Sequence, residues 1–115
     1  MPMPKSLPSL ISSLSAISAN HTMYAIVCFD RPDSAALRDQ HRAAHMEFLK
    51  THCAKIVFGG PLKHTPEGAS TGALIVVDCA TRKEAEALIA GDPFYRGGVY
   101  ESVAVRAFKQ VFPQK

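Results

Sequence analysis

Residues 23–29, Met23-Tyr24-Ala25-Ile26-Val27-Cys28-Phe29, form a continuous apolar run that ends on Asp30-Arg31-Pro32-Asp33. The run is short, β-prone and closed by a turn signal, so it predicts a strand. No polar residue alternates within it, which predicts burial on both faces. A second run of the same kind, Ala73-Leu74-Ile75-Val76-Val77, lies between Gly72 and Asp78.

The segments around these runs supply the rest of the fold. Between them, Leu37, His41, Ala44, Phe48 and Leu49 recur at helical spacing behind Asp33 or Ser34, either of which can cap a helix reaching about His52 or Cys53. Ile56-Val57-Phe58 reads as a short strand ended by Gly59-Gly60-Pro61, followed by a loop over residues 62–70 that holds Pro66 and Gly68. After the second run, Thr81 and Glu84 form a capping box for a helix that carries Ala85, Leu88 and Ile89 and stops at Gly91-Asp92-Pro93. Val99 to Phe108 is the last strand, with Val99, Val103, Val105 and Ala107 assigned to one face and Tyr100, Ser102, Ala104 and Phe108 to the other. The order is β-α-β-β-α-β, an α+β fold of ferredoxin-like type with a four-stranded antiparallel sheet and two helices on one face. Two helices cover one face of such a sheet, yet the first and third strands are apolar on both. A second copy of the chain, as a homodimer or higher homo-oligomer, is the simplest cover.

Composition narrows the function. A chain of 115 residues, 47% apolar and 20% charged, has the size and balance of one globular domain. A net charge of +3, without a Lys/Arg run or basic residues interleaved with aromatics, argues against a nucleic-acid partner. It leaves room for an anionic small molecule. No apolar run approaches the roughly 20 residues of a membrane span. Cys28, Cys53 and Cys79 are odd in number and widely spaced within apolar segments, which fits reduced thiols in the cytoplasm better than a disulfide framework.

Residues 1–22 are set apart as an N-terminal extension and residues 23–115 as the domain. The extension is rich in serine and proline and has no acidic residue, and Leu7, Leu10, Ile11, Leu14 and Ile17 mark a short amphipathic helix. A striped helix is not the continuous block of a secretory signal, and the absence of arginine argues against a transit peptide. A helix that docks its stripe on the domain or on a partner subunit is the favoured reading.

Four groups of residues could carry chemistry. Arg42 and His45 are three apart on the first helix and share a face, with Arg38 one turn earlier. A histidine beside an arginine can act as a general base next to an anion clamp, although a solvated helix face has the same residues. Pro93 biases Asp92 towards an extended conformation, which can aim its carboxylate into a site or make an ordinary helix stop. Gly59, Gly60 and Pro61 permit close approach of a ligand or of a neighbouring backbone. His41, His45 and His52 lie on about one helix face, but the glutamate of the protease motif and a third ligand on another element are missing, so no metal is expected.

Four segments, in this order and spacing, resemble the YCII-related family from about Met23 to Phe112: Arg42-Ala43-Ala44-His45, Gly59-Gly60-Pro61-Leu62, Gly91-Asp92-Pro93-Phe94, and the ending from Gly98 to Phe112. The resemblance implies a dimeric α/β barrel, in which the sheets of two ferredoxin-like subunits face each other. It also implies a histidine–aspartate pair in a pocket, falling here on His45 and Asp92, with Arg42 beside them and Gly60 and Pro61 as further substrate-binding positions. One branch of the family resembles a dehydrochlorinase of chlorinated hydroxyquinols. The expectation is a cofactor-independent enzyme that uses the pair for proton transfer, elimination or isomerisation of a small cyclic substrate. The alternatives are a non-catalytic binding domain for a small metabolite, and a pair that only satisfies two polar groups of the core. The N-terminal extension departs from the family pattern.

Overall fold

The computed structural model describes residues 22–113. The extension, with its expected amphipathic helix, lies outside the described residues apart from Thr22. The elements are β1 (Thr22–Asp30), α1 (Ala35–Thr51), a 3-10 turn (Cys53–Lys55), β2 (Ile56–Lys63), β3 (Ser70–Cys79), α2 (Arg82–Ala90), α3 (Pro93–Arg96) and β4 (Tyr100–Phe108). The strands form one antiparallel sheet in the order β2-β3-β1-β4. This is the expected ferredoxin-like α+β architecture, with the two apolar runs as its central strands.

The register decides which residues face the helices. On β1, Tyr24, Ile26 and Cys28 are buried and pair with Val77, Ile75 and Ala73 of β3. Together with Ala85 and Ile89 of α2, Phe94 of α3 and Val99, Tyr100 and Val105, they make one core. Gly72 lets β3 close on β1, because a Cβ there would run into the Cys28 carbonyl oxygen. The opposite face carries Ala25, Val27 and Phe29 of β1 beside Val76 and Leu74 of β3.

Three local readings change. β2 does not end at Gly59 but runs on through Gly60 and Pro61 to Lys63. It is an edge strand, where a proline without an N–H is tolerated. A register shift sets Tyr100 opposite Asp30 and Ser102 opposite Phe29, leaving Glu101 as the extra residue of a bulge. The bulge turns Tyr100 onto the helix face with Val103 and Val105, so the expected assignment to the Ser102 face is wrong. Ser34 stands at the N-cap of α1, but its backbone (φ −92°, ψ 5°) is not extended and its side chain makes no cap bond. Its hydroxyl faces the Asp30 carboxylate instead, at 3.5 Å. The capping box of α2 forms, with the Thr81 hydroxyl accepting from the Glu84 N–H at 3.2 Å.

Along α1 only Arg38 is buried. The helix rests on α3 more than on the sheet, and the gap this leaves over β2 and β3 is where the candidate site lies.

Candidate functional site

Asp92-Pro93-Phe94 organises the site. Pro93 is the first residue of α3 and holds Asp92 extended (φ −68°, ψ 128°), as expected. The sequence reading stopped there and missed α3, a single turn too short to show a period. Asp92 caps that turn: its Oδ1 accepts the Phe94 N–H at 2.9 Å. The same oxygen lies 2.7 Å from His45 Nδ1. Asp92 is fully buried, and the His45 side chain is 12% exposed. An ionised carboxylate only accepts, so Nδ1 carries the proton and Nε2 is the ring nitrogen left for other partners. The Phe94 ring stacks on the imidazole, with centroids 3.9 Å apart and planes within 7°. The carboxylate and the stack together fix both the tautomer and the plane of His45.

His45 lines a cavity of about 440 Å³ between α1 and the β2–β3 half of the sheet. Met46 and Leu49 of α1, Pro61 of β2, Ala73 and Ile75 of β3, Phe94 and Tyr100 give it a largely apolar wall. Of the other residues singled out from sequence, Arg42 and Gly60 line it too, whereas Asp92 sits behind His45 and does not. Gly60 contributes backbone: it pairs with Leu74, on the sheet face away from the helices, and a Cβ on it would meet nothing. Gly59 pairs with the core residue Ile75, and its Cβ would meet the Leu74 carbonyl oxygen at 3.2 Å. Arg42 is half-exposed and bonds Asp39 at 2.6 Å. The histidine stripe disperses, with His41 against Gly97, His45 on Asp92 and His52 against the Phe48 ring. Among the described residues no group of three His, Cys, Asp or Glu side chains is placed to hold a metal ion.

The sequence reading placed Arg38 beside the candidate group without giving it a role, and it missed Tyr100. Arg38 is buried in a bidentate pair with Asp30, Nε to Oδ2 at 2.7 Å and Nη2 to Oδ1 at 3.1 Å. Its Nη2 also donates to the Gly72 carbonyl at 3.1 Å. The guanidinium lies 4.9 Å from the centre of the Phe94 ring, so the same ring meets Arg38 and His45. The only signal for Arg38 was its place on the His45 side of α1. Tyr100 was hidden by the bulge at Glu101. Burial first, then the Cys28 and Asp92 charges, raises its phenol above the usual tyrosine range. The neighbouring Cys28 thiol is pushed up to about 12, mainly by burial and then by Asp92.

A family model described as the YCII-related domain matches residues 22–109, the span of the whole sheet and its helices. The chain belongs to the YCII-related family. Among family members, protein YciI of Escherichia coli O6:H1 is 31% identical over 97 residues, covering 78% of this chain and 99% of YciI, and YciI of Shigella flexneri gives the same figures. Among solved structures, the 5-chloro-2-hydroxyhydroquinone dehydrochlorinase TftG of Burkholderia phenoliruptrix AC1100, in complex with 2,5-dihydroxybenzoquinone, is similar over 81% of this chain and 99% of its own. Its TM-score is 0.73 at 27% identity. A nipsnap family protein of unknown function from Agrobacterium tumefaciens shares the fold at a TM-score of 0.50 and 15% identity, covering 84% of this chain and 96% of its own. The YCII-related match begins at Thr22, so residues 1–21 lie outside it.

Proposed function

We propose that this YCII-related chain is a cofactor-independent enzyme acting on a small, anionic cyclic compound, with His45 as acid–base group and Asp92 as the residue that positions it. The observation that carries the reading is the 2.7 Å bond from His45 Nδ1 to a fully buried carboxylate, on a histidine that lines an apolar cavity. With Nδ1–H held by Asp92, the Nε2 lone pair is the base. When Nε2 takes a substrate proton, the imidazolium is stabilised by the carboxylate behind it. The electron pair released in the substrate then expels a leaving group, which is elimination, or is reprotonated elsewhere, which is isomerisation. Arg42 is free to change partners, because an exposed pair such as Arg42–Asp39 contributes little. It can turn from Asp39 to a substrate anion, while Gly60 and Pro61 form the opposite wall.

Likeness to TftG supports this reading and supplies a first compound, 5-chloro-2-hydroxyhydroquinone. The test is chloride release from that compound by the wild type, His45→Ala and Asp92→Asn. The expected loss in His45→Ala is about 10²–10⁴-fold, the usual weight of a positioned acid–base group. Asp92→Asn is expected to lose less, since the base remains but its tautomer is no longer held. Full activity in His45→Ala removes His45 from the chemistry. One observation favours a second reading, in which the cavity binds a metabolite without turnover. Asp92 also caps α3, so the pair serves the fold as well. Tight uptake of the compound without chloride release would support that reading.

A further inference from the structure

We infer that Arg38 binds the ligand through Nη1, taking a carboxylate arm where the apolar cavity meets a second, polar one, and that the substrate is therefore a ring bearing a single carboxylate. The inference deepens the proposed function and rests on the cavity at His45 being the ligand site.

The place of the side chain is the first support. A second cavity, of about 600 Å³, is lined by polar residues that include Asp30, Arg31, Lys63 and Glu101. Arg38, Arg42 and Ser70 line both cavities, so the two adjoin at these residues. Phe94 brings the guanidinium and the base together. The centre of its ring is 4.9 Å from Arg38 Cζ and 3.9 Å from the centre of the His45 imidazole. A ring-sized molecule beside His45 is therefore within reach of Arg38 as well.

The state of the guanidinium is the second support. Nε and Nη2 donate to Asp30, and Nη2 also donates to the Gly72 carbonyl. These three bonds leave unspent only the N–H donors of Nη1. Nη1 makes no hydrogen bond among the described residues, and it is not one of the side-chain atoms sealed in the core without a partner. The side chain is 10% exposed, and that tenth includes the donors it has left. Asp30 and Gly72 fix the plane of the guanidinium before any ligand arrives, so an oxygen on Nη1 is met without reorganisation. Arg42, by contrast, is half-exposed on Asp39 and has to swing.

Charge decides the arm. Around the polar cavity Arg31 and Lys63 are offset by Asp33 and Glu101, and Arg38 by Asp30. Arg42 is the remaining cation, held only by its exposed partner Asp39. One positive charge is thus available to the ligand, which suits a carboxylate and leaves a dianionic phosphate uncompensated. The apolar wall takes the ring, and the arm points to the polar side.

The test uses the full chain and two probes, 2,5-dihydroxybenzoate and hydroquinone, which differ only by the carboxylate. Kd is measured by calorimetry for the wild type and for Arg38→Lys, whose ammonium still pairs with Asp30 but has no Nη1. The wild type is expected to bind the acid about ten-fold more tightly than hydroquinone or better, the range for a bond to a charged oxygen. Arg38→Lys is expected to lose that preference and to bind hydroquinone as the wild type does. Equal binding of the two probes by the wild type overturns the inference, and so does a preference that survives Arg38→Lys. If Arg38→Lys does not fold, side-chain NMR of the wild type decides: the acid must shift the Arg38 Nη1–H resonances and hydroquinone must not. A wild type that takes up neither probe at millimolar concentration overturns the inference too. None of these failures touches the reading of His45, which chloride release judges separately.

Discussion

One oxygen of Asp92 holds two donors, the Phe94 N–H of α3 and the Nδ1–H of His45, which lies forty-seven residues from Asp92 in the chain. Cys28 and Tyr100 pack within reach of the same buried charge, and it raises both of them. That sets a pH dependence. The Cys28 thiol moves from its ordinary value near 9 to about 12 in the fold, so between those values the native chain keeps a proton that the unfolded chain releases. Stability is then fully present below about pH 9 and falls as pH rises towards 12, with a slope approaching about 1.4 kcal/mol per pH unit from this group. Urea unfolding midpoints measured from about pH 8 to about pH 11 should fall in the wild type and fall less steeply in Cys28→Ala. An equally steep fall in Cys28→Ala would move the cause to other groups. At this scale the sequence was readable only in part. His45, Arg42, Gly60 and Pro61 stand in short motifs, and the pairing of His45 with Asp92 came from family resemblance, since nothing local joins residues so far apart. Arg38 and Asp30 form a bidentate pair across a turn in which Asp30 looks like an ordinary turn former.

Among the elements, α2 has the clearest local code. Thr81 accepts the Glu84 N–H, and the Glu84 carboxylate accepts the Ala80 N–H at 3.2 Å. Thr81→Ala is expected to lower stability by about 1 kcal/mol and Thr81→Ser by much less, read as a shift in urea midpoint at constant m-value. The site should be insensitive to this change, because α2 supplies none of the cavity wall. Strands β1 and β3 were legible for the same kind of reason: a buried apolar run leaves few alternatives. β2 was cut short because glycine and proline are strong breakers in sequence, and only its place at the sheet edge makes them acceptable. The bulge at Glu101 left no mark at all, yet it decides that Tyr100 faces the helices and not the opposite side. The site therefore depends on two features that periodicity does not report, one bulge and one single-turn helix.

For the whole molecule, the open question is the sheet face turned away from the helices. Phe29 and Phe58 are each about half exposed there (51% and 52%), and Phe108 is 38% exposed at the edge of the same face. Ala25, Val27 and Leu74, on the same face, remain partly exposed. A contiguous apolar face of this kind on a small domain marks an interface. The chain has the fold type of the dimeric α/β barrels, in which two such sheets face each other. We predict a homodimer, with a mass by light scattering of twice the chain's 12.4 kDa. Phe29→Lys puts a charge on this face without touching the core beneath, because Phe29 alternates with the buried Cys28. It is expected to give monomers of unchanged secondary structure. The cavity opens beside the same region, with Val57 and Phe58 in its wall and both about half exposed. A partner that covers Phe58 would also narrow the cavity mouth. Loss of the dimer should then weaken binding of 2,5-dihydroxybenzoquinone even though no residue named in the chemistry has changed. A Phe29→Lys monomer that binds the quinone as the wild type does would show that each subunit completes its own site. A wild type that already runs as a monomer would mean that the chain itself covers this face.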